Sequence, residues 1–173
     1  MSTSRSTFFG IAAVCLAAVG AALVAQHQFN MQPCPWCVLQ RVIFLAIAMA
    51  ALLGGLLSAF LSGYMNALEP THKSNLFFSA LVDVLATCGM AAALWQHFVA
   101  AATASCNLTF AERVISALGL DERWPEVFSA YASCKDAAVN LFGVPFEFWS
   151  LALFAAITLA ALQLLVKAAR GGV

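Results

Sequence analysis

Four long stretches that are nearly free of charged residues constrain this chain more than any other feature. The first runs from Phe8 to Ala25 and the second from Val42 to Ser62, which makes 18 and 21 residues. A helix of about 20 apolar residues crosses the hydrocarbon core of a bilayer. Only 9% of all residues are charged, whereas soluble globular proteins carry about 25%. The sequence therefore predicts an all-α membrane protein.

The predicted fold is a four-transmembrane-helix bundle that forms a single domain over residues 1–173. Its helices are expected at about residues 8–26, 41–62, 76–97 and 146–166. A cleaved signal peptide is the alternative for the first of them, but the apolar core of such peptides covers only about 7–15 residues. Two loops at one end of the bundle, residues 27–40 and 98–145, are left to carry the chemistry.

The longer of these loops has a local structure of its own. Thr109 and Glu112 form a capping-box pattern, which predicts the start of a short helix, and Gly119 is suited to end it. Trp124 and Tyr131 make the following stretch aromatic, which predicts that the loop lies at the boundary of the lipid headgroups. We therefore expect short interfacial helices within this loop.

Lysine and arginine are spread unevenly over the two sides of the membrane. The termini and the loop 63–75 carry four of them in 27 residues, while residues 26–41 and 96–147 carry four in 68. Basic residues concentrate on the cytoplasmic side of membrane proteins. Both termini are therefore expected in the cytoplasm, and the two loops on the opposite side of the membrane.

The placement of the cysteines points to redox chemistry. Of six cysteines, Cys34, Cys37, Cys106 and Cys134 fall in the two loops that are expected outside the cytoplasm. Disulfides persist in such compartments and are rare in the cytosol. Four cysteines allow three pairings, of which the simplest joins Cys34 to Cys37 and Cys106 to Cys134.

The first cysteine pair lies where the second helix is expected to begin. Pro35 suits the first helical turn, where its missing N–H costs nothing. Cys37 would then face the positive end of the helix dipole and lie one turn before Arg41, and both favour the reactive thiolate. Binding of zinc by the two cysteines is the alternative interpretation. A structural zinc site commonly has a second close pair of ligands, whereas 27 residues separate Cys106 from Cys134, so the spacing disfavours zinc.

Three residues keep two interpretations each on the sequence alone. Arg41 could act on Cys37 or could anchor the second helix by extending to the interface. His97, at the end of the third helix, could be a site residue or an ordinary interfacial residue. Asp83 lies within the third span, where a charge is costly, so it should face the bundle or water. A proton path along the helix stripe from Asp83 to His97 is one interpretation, and a hydrogen bond from Asp83 to Thr87 or to a neighbouring helix is the simpler one.

The second cysteine pair is equally open to two interpretations. Cys106 and Cys134 could form a static staple of the long loop, which would make the chain a non-enzymatic scaffold. Alternatively they could exchange with the first pair, because disulfides move between pairs by thiolate attack through a mixed disulfide.

Considered together, these features resemble the bacterial disulfide bond formation protein B (DsbB) family. The resemblance rests on the four spans, on Cys34-Pro35-Trp36-Cys37 followed by Arg41, on a histidine that ends the third span, and on a second cysteine pair in the long loop. It implies a protein-disulfide:quinone oxidoreductase of the bacterial inner membrane. Such a protein reoxidises a periplasmic DsbA-type thioredoxin-fold oxidase and passes the electrons to ubiquinone or menaquinone.

The resemblance also implies a role for each cysteine. Cys106 would be attacked by the reduced DsbA-type partner, and Cys134 is its disulfide partner. Cys134 would exchange with the Cys34–Cys37 disulfide. Cys37, released as a thiolate, would pass electrons to the quinone.

Two further residues are assigned to quinone binding by the resemblance, and no metal site is implied. Arg41 would bind the quinone, and His97 matches a histidine near it. The chain departs from the family at Gln40, where relatives often carry glutamate, which leaves Arg41 without an adjacent acid. The vitamin K epoxide reductase-like proteins are the alternative redox family. In those proteins the C-x-x-C is expected in a late helix of the bundle, whereas here it precedes the second helix. The net charge of zero gives no sign of nucleic-acid binding.

Overall fold

The computed structural model describes residues 2–63, 68–102, 109–137 and 139–170. Four long helices form its body, namely α1 (Ser2–Phe29), α2 (Pro35–Gly63), α3 (Leu68–Trp95) and α7 (Phe146–Ala169). In the described parts of the chain these four are long and apolar enough to cross a membrane. The predicted all-α membrane fold is thereby confirmed.

The helices extend further towards the cysteine-bearing end than the sequence suggested. Helix α2 begins at Pro35, well before the expected start at residue 41, because proline and the Cys34 side chain satisfy its first turn. Helix α3 continues directly into a π-helical turn, Gln96–Ala100. Such turns are rare and are frequently found at functional sites. Both extensions bring polar residues into ordered helical positions.

The long loop contains short elements. They are α4 (Phe110–Ala117), α5 (Leu120–Arg123), α6 (Pro125–Phe128), β1 (Asn140–Leu141) and β2 (Val144–Pro145). The capping box at Thr109 and Glu112 is present as predicted, and Gly119 takes the left-handed conformation (φ 62°) just after α4. The antiparallel β1–β2 pair was not predicted. Its two turn residues, Phe142 and Gly143, both have positive φ, as a tight type I′ hairpin requires.

Close packing of aromatic rings against small residues holds the long helices together. The rings of Phe44 on α2 and Phe154 on α7 stack with centroids 4.0 Å apart. A Cβ atom on Gly54 would lie 2.8 Å from Phe78, so α2 and α3 approach closely at this glycine. Small residues such as glycine permit this close approach of helices in membrane bundles.

The long loop docks on the end of the bundle that carries the first cysteine pair. The amide of Tyr131 donates a hydrogen bond of 3.0 Å to the carbonyl oxygen of Pro33. Val38 of α2, Ile115 of α4 and Phe128 of α6 form a small buried apolar cluster. The two loops therefore lie at the same end of the molecule and contact each other.

Candidate functional site

Three of the four predicted redox cysteines lie together where the long loop meets α2. The Sγ atoms of Cys34 and Cys37 are 3.0 Å apart, and Cys134 packs against Cys34 in the same buried cluster. These cysteines are free thiols. Cys106 lies outside the described residues. The predicted disulfides Cys34–Cys37 and Cys106–Cys134 therefore stay predictions, but Cys34 contacts thiols of both pairs.

Cys34 occupies the position that caps α2. Its carbonyl oxygen accepts from the amide of Val38 at 3.0 Å, and its Sγ accepts from the amide of Cys37 at 3.4 Å. The thiol is completely buried. Because this sulfur is fixed and buried, Cys37 and Cys134 both approach it in a defined geometry. Such an arrangement suits exchange of a disulfide bond between these two thiols.

The hydrogen bond between Cys34 and Cys134 has opposite effects on the two thiols. It raises the pKa of Cys34, with the contact to Cys37 and burial acting in the same direction. The same bond stabilises the thiolate of Cys134 and lowers the pKa of that thiol, against the opposing effect of burial. Thiolate is the nucleophilic form of cysteine. The contact therefore favours Cys134 as attacking group and Cys34 as the sulfur that holds the proton.

A chain of two glutamine side chains is directed at Cys37. The Nε2 of Gln40 donates to the Oε1 of Gln96 at 2.7 Å, and the Nε2 of Gln96 donates to the Sγ of Cys37 at 3.2 Å. The bond from Gln40 fixes the orientation of the Gln96 amide, so that an N–H group faces the sulfur. The sequence did not predict a role for Gln96; it pointed only to the neighbouring residue His97.

Arg41 is buried, with 6% of its surface exposed, so it does not extend to the interface. Its Nη1 donates to the Oε1 of Gln26 at 2.7 Å and to the carbonyl oxygen of Val127 at 2.9 Å. The Nε2 of Gln26 in turn donates to the carbonyl oxygen of Glu126. Arg41 thus ties α2 to α1 and to α6 of the long loop. Gln26 was not predicted as a site residue.

A cleft of about 200 Å³ opens beside these residues. Most of its wall is apolar and comes from α1, α2 and α7, with residues that include Val19, Phe44, Phe146, Trp149 and Leu153. Its polar lining includes Cys37, Gln40, Arg41, Gln96 and Glu147. An apolar cleft with a few converging polar groups is typical of a site for a small organic molecule.

His97 reaches this site through a partner that the sequence did not reveal. Its Nδ1 lies 2.8 Å from the Oε1 of Glu147, and its ring meets the ring of Phe148 edge to face. Glu147 itself lines the cleft. The only sequence signal for Glu147 was a carboxylate at the start of an apolar helix, where the helix dipole also favours a negative charge.

Asp83 does not make the side-chain contact that was expected. The hydroxyl of Thr87 donates to the backbone carbonyl oxygen of Asp83 at 2.8 Å, and the buried Oδ1 of Asp83 has no hydrogen-bond partner among the described residues. This backbone bond is a common way for a threonine within a helix to satisfy its hydroxyl.

The chain is similar to known proteins over nearly its whole length. The sequence model of a family described as "Disulfide bond formation protein DsbB" matches residues 4–164. The disulfide bond formation protein B of Aromatoleum aromaticum is 27% identical over 173 residues, covering 98% of this chain and 96% of that protein. The protein of the same name from Herminiimonas arsenicoxydans is 31% identical over 160 residues, covering 92% and 93%.

Proposed function

The chain belongs to the DsbB family of disulfide bond formation proteins, and we propose that it reoxidises a periplasmic DsbA-type protein and passes the electrons to a membrane quinone. Family membership makes it a membrane oxidoreductase of disulfide bond formation; the donor and the acceptor are the proposal. One observation carries it. Cys34 contacts both Cys37 and Cys134, and Cys37 lines an apolar cleft together with Arg41.

The relay begins in the long loop. A thiolate of the reduced partner attacks Cys106 of the Cys106–Cys134 disulfide, which forms a mixed disulfide and releases Cys134. Cys134 then attacks Cys34 of the Cys34–Cys37 disulfide, and Cys37 leaves as a thiolate. The partner's second thiolate then attacks the mixed disulfide and the partner leaves oxidised; the freed Cys106 attacks Cys134, which re-forms the Cys106–Cys134 disulfide and releases Cys34 beside Cys37. Each step forms one S–S bond and breaks one, so no electron leaves the cysteines until Cys34 and Cys37 are both free. The contact of Cys134 with Cys34 supports this order of attack.

Cys37 is suited to be the leaving group. It receives the N–H of Gln96, lies in the first turn of α2, and shares the cleft with the guanidinium of Arg41. Hydrogen-bond donors, the positive end of a helix and a cation all stabilise a thiolate. A more stable leaving thiolate departs faster in disulfide exchange.

A quinone suits the cleft as electron acceptor because it is a small, largely apolar molecule with two ring oxygens that accept hydrogen bonds. The apolar walls from α1 and α7 would hold the ring, and Arg41 and the side chains near it would bind its oxygens. DsbA-type oxidases have reduction potentials of about −120 mV. Their reoxidation therefore requires an electron acceptor that is a stronger oxidant than glutathione. A quinone dissolved in the bilayer meets that demand.

The same proposal fixes the position of the protein in the cell. A donor in the periplasm and an acceptor in the lipid require the cysteine-bearing end to face the periplasm of a bacterial inner membrane. Both termini would then be cytoplasmic, which agrees with the higher density of basic residues on their side. Labelling of single cysteines introduced near each terminus, in intact and opened cells, tests this orientation.

The test is quinone reduction by the purified protein in lipid nanodiscs, with a reduced DsbA-type protein as the electron donor. We expect Cys37→Ser to abolish quinone reduction while still allowing a mixed disulfide between the donor and Cys106. Cys106→Ser should abolish that mixed disulfide as well. Cys15→Ser is the matched control, since this buried cysteine belongs to the apolar core and does not line the cleft.

Two results would contradict the proposal. A normal rate of quinone reduction by Cys106→Ser would show that the donor does not enter through this residue. Cysteines that stay fully oxidised in cells when quinone synthesis is blocked would instead support the static scaffold.

A further inference from the structure

The cleft contains one acidic side chain for which the relay has no use. Among the residues that line it, those with ionisable side chains are Cys37, Arg41 and Glu147. The first two have roles in the proposed electron transfer. Glu147 is 7% exposed, and a carboxylate is seldom buried this deeply without a partner or a function.

The partner of Glu147 connects the cleft to the surface of the protein. Nδ1 of His97 lies 2.8 Å from Oε1 of Glu147, and the side chain of His97 is 32% exposed. One end of this pair thus borders the cleft and the other reaches the surface of the protein at the cysteine-bearing end. The remaining neighbours of the imidazole are the apolar rings of Phe98 and Phe148, which leave the carboxylate as its polar contact within the described residues.

We propose that Glu147 and His97 are the proton-delivery pair of the acceptor cleft. The inference rests on the proposed function and extends it. Closing the Cys34–Cys37 disulfide oxidises two thiols, which yields two electrons and two protons. A quinone that takes up the two electrons must also bind two protons to leave as a quinol, and the cleft must supply them at the ring oxygens.

The pair holds one transferable proton between Nδ1 and Oε1. Glu147 passes this proton to a ring oxygen, and His97 takes a new proton from water at its exposed side. The second proton follows the same path, so that the pair returns to its starting state once the quinol leaves. Arg41 shares the cleft but cannot supply these protons, because a guanidinium does not lose its proton in proteins.

Glu147→Gln tests the proposal, because it keeps the shape and polarity of the side chain and removes its acid function. We expect kcat for quinone reduction to fall about 100-fold, the usual contribution of a positioned acid, while KM for the quinone stays the same. Formate added to the Glu147→Gln protein should restore part of kcat by supplying an external acid, and Glu147→Asp should keep more activity than Glu147→Gln.

A binding measurement separates this role from a structural one. Trp149 lines the same cleft, so quenching of its fluorescence by added quinone gives a Kd that does not depend on turnover. An unchanged Kd with a lower kcat is the expected result for Glu147→Gln. Should that variant lose binding, His97→Gln tests the same path and should lose kcat and regain it with added imidazole. Glu122→Gln, which changes an exposed carboxylate of α5, should behave like wild type.

The outcomes distinguish this inference from the function on which it rests. A wild-type kcat for Glu147→Gln, or a loss that neither formate nor imidazole relieves in the two variants, overturns the proton-delivery pair alone. Wild-type protein that does not reduce quinone at all overturns the proposed function.

Discussion

The redox end of the bundle and its apolar core are stabilised in different ways. At the redox end five large polar side chains are buried, namely Gln26, Gln40, Arg41, Gln96 and Glu147. In the apolar core the fully buried large side chains include Phe8, Ile47, Val82 and Phe154. Hydrogen bonds between different helices and loops satisfy the polar groups of the first region, whereas tight contacts between rings and small residues fill the second.

The comparison predicts which property a substitution in each region will change. A buried polar group that loses its partner retains the full cost of its lost hydration. Changes at the redox end should therefore disturb both the position of the long loop and the chemistry. Changes in the core alter packing and cavity volume, so they should affect stability and leave the chemistry of the folded protein as it was.

Arg41→Ala should have the largest effect of the substitutions that compare the two regions. It removes the donors to Gln26 and to the carbonyl oxygen of Val127, and a hydrogen bond from a charged group contributes about 1.5–3 kcal/mol. We expect kcat/KM for quinone to fall about 10- to 100-fold, the equivalent of that energy, and hydrogen exchange in α6 to become faster.

Arg41→Lys is the matched variant for this prediction. An ammonium group keeps the charge but lacks the planar fork that reaches two acceptors in fixed directions. It should recover part of kcat/KM and little of the protection of α6. Wild-type exchange rates in Arg41→Ala would show that Arg41 does not hold the loop.

Gly54→Ala should damage the core without affecting the redox chemistry. The added Cβ would lie 2.8 Å from the Cβ of Phe78 on the neighbouring helix, and overpacking of this kind costs about 1–3 kcal/mol. We expect a lower midpoint of unfolding in detergent and an unchanged quinone-reduction rate per folded molecule. Gly20→Ala is the control, because a Cβ there meets nothing within 4 Å and alanine favours the helix. Equal midpoints for the two variants would contradict the packing argument.

The smallest expected effect is a shift in the pH dependence of Cys134. Its pKa is lowered by the hydrogen bond from Cys34, so its thiolate should persist below the ordinary pKa of about 8.5 and be lost only as the pH falls through the lowered value. In Cys34→Ala this donor is missing, and alkylation of Cys134 should require a higher pH. Mass spectrometry of reduced protein alkylated at a series of pH values measures the difference. Coincident profiles in the two proteins would exclude the proposed bond.

Local signals in the sequence were sufficient to find the four long helices and some of their ends. Stretches without charge predicted the four spans, the pattern at Thr109 and Glu112 predicted the start of α4, and Pro35 marked the first turn of α2. Each of these signals depends on residues that are near each other in the chain. Such short-range preferences can be recognised from the sequence without knowledge of the tertiary structure. The helix bounds, drawn from the uncharged run alone, placed the start of α2 at about residue 41, although Pro35 already indicated a first turn at the cysteines.

The sequence by itself offered candidates for the chemistry, namely the cysteines, Arg41 and His97, but not Gln96 or Glu147. Only the tertiary structure decided their partners, which put Cys134 against Cys34, Gln96 against Cys37 and Glu147 against His97. The last two pairs join positions 59 and 50 residues apart in the chain. Helical periodicity specifies the face on which a residue lies, but not which residue of another helix meets that face. That choice depends on how all the helices pack, including the glycines and rings of the core.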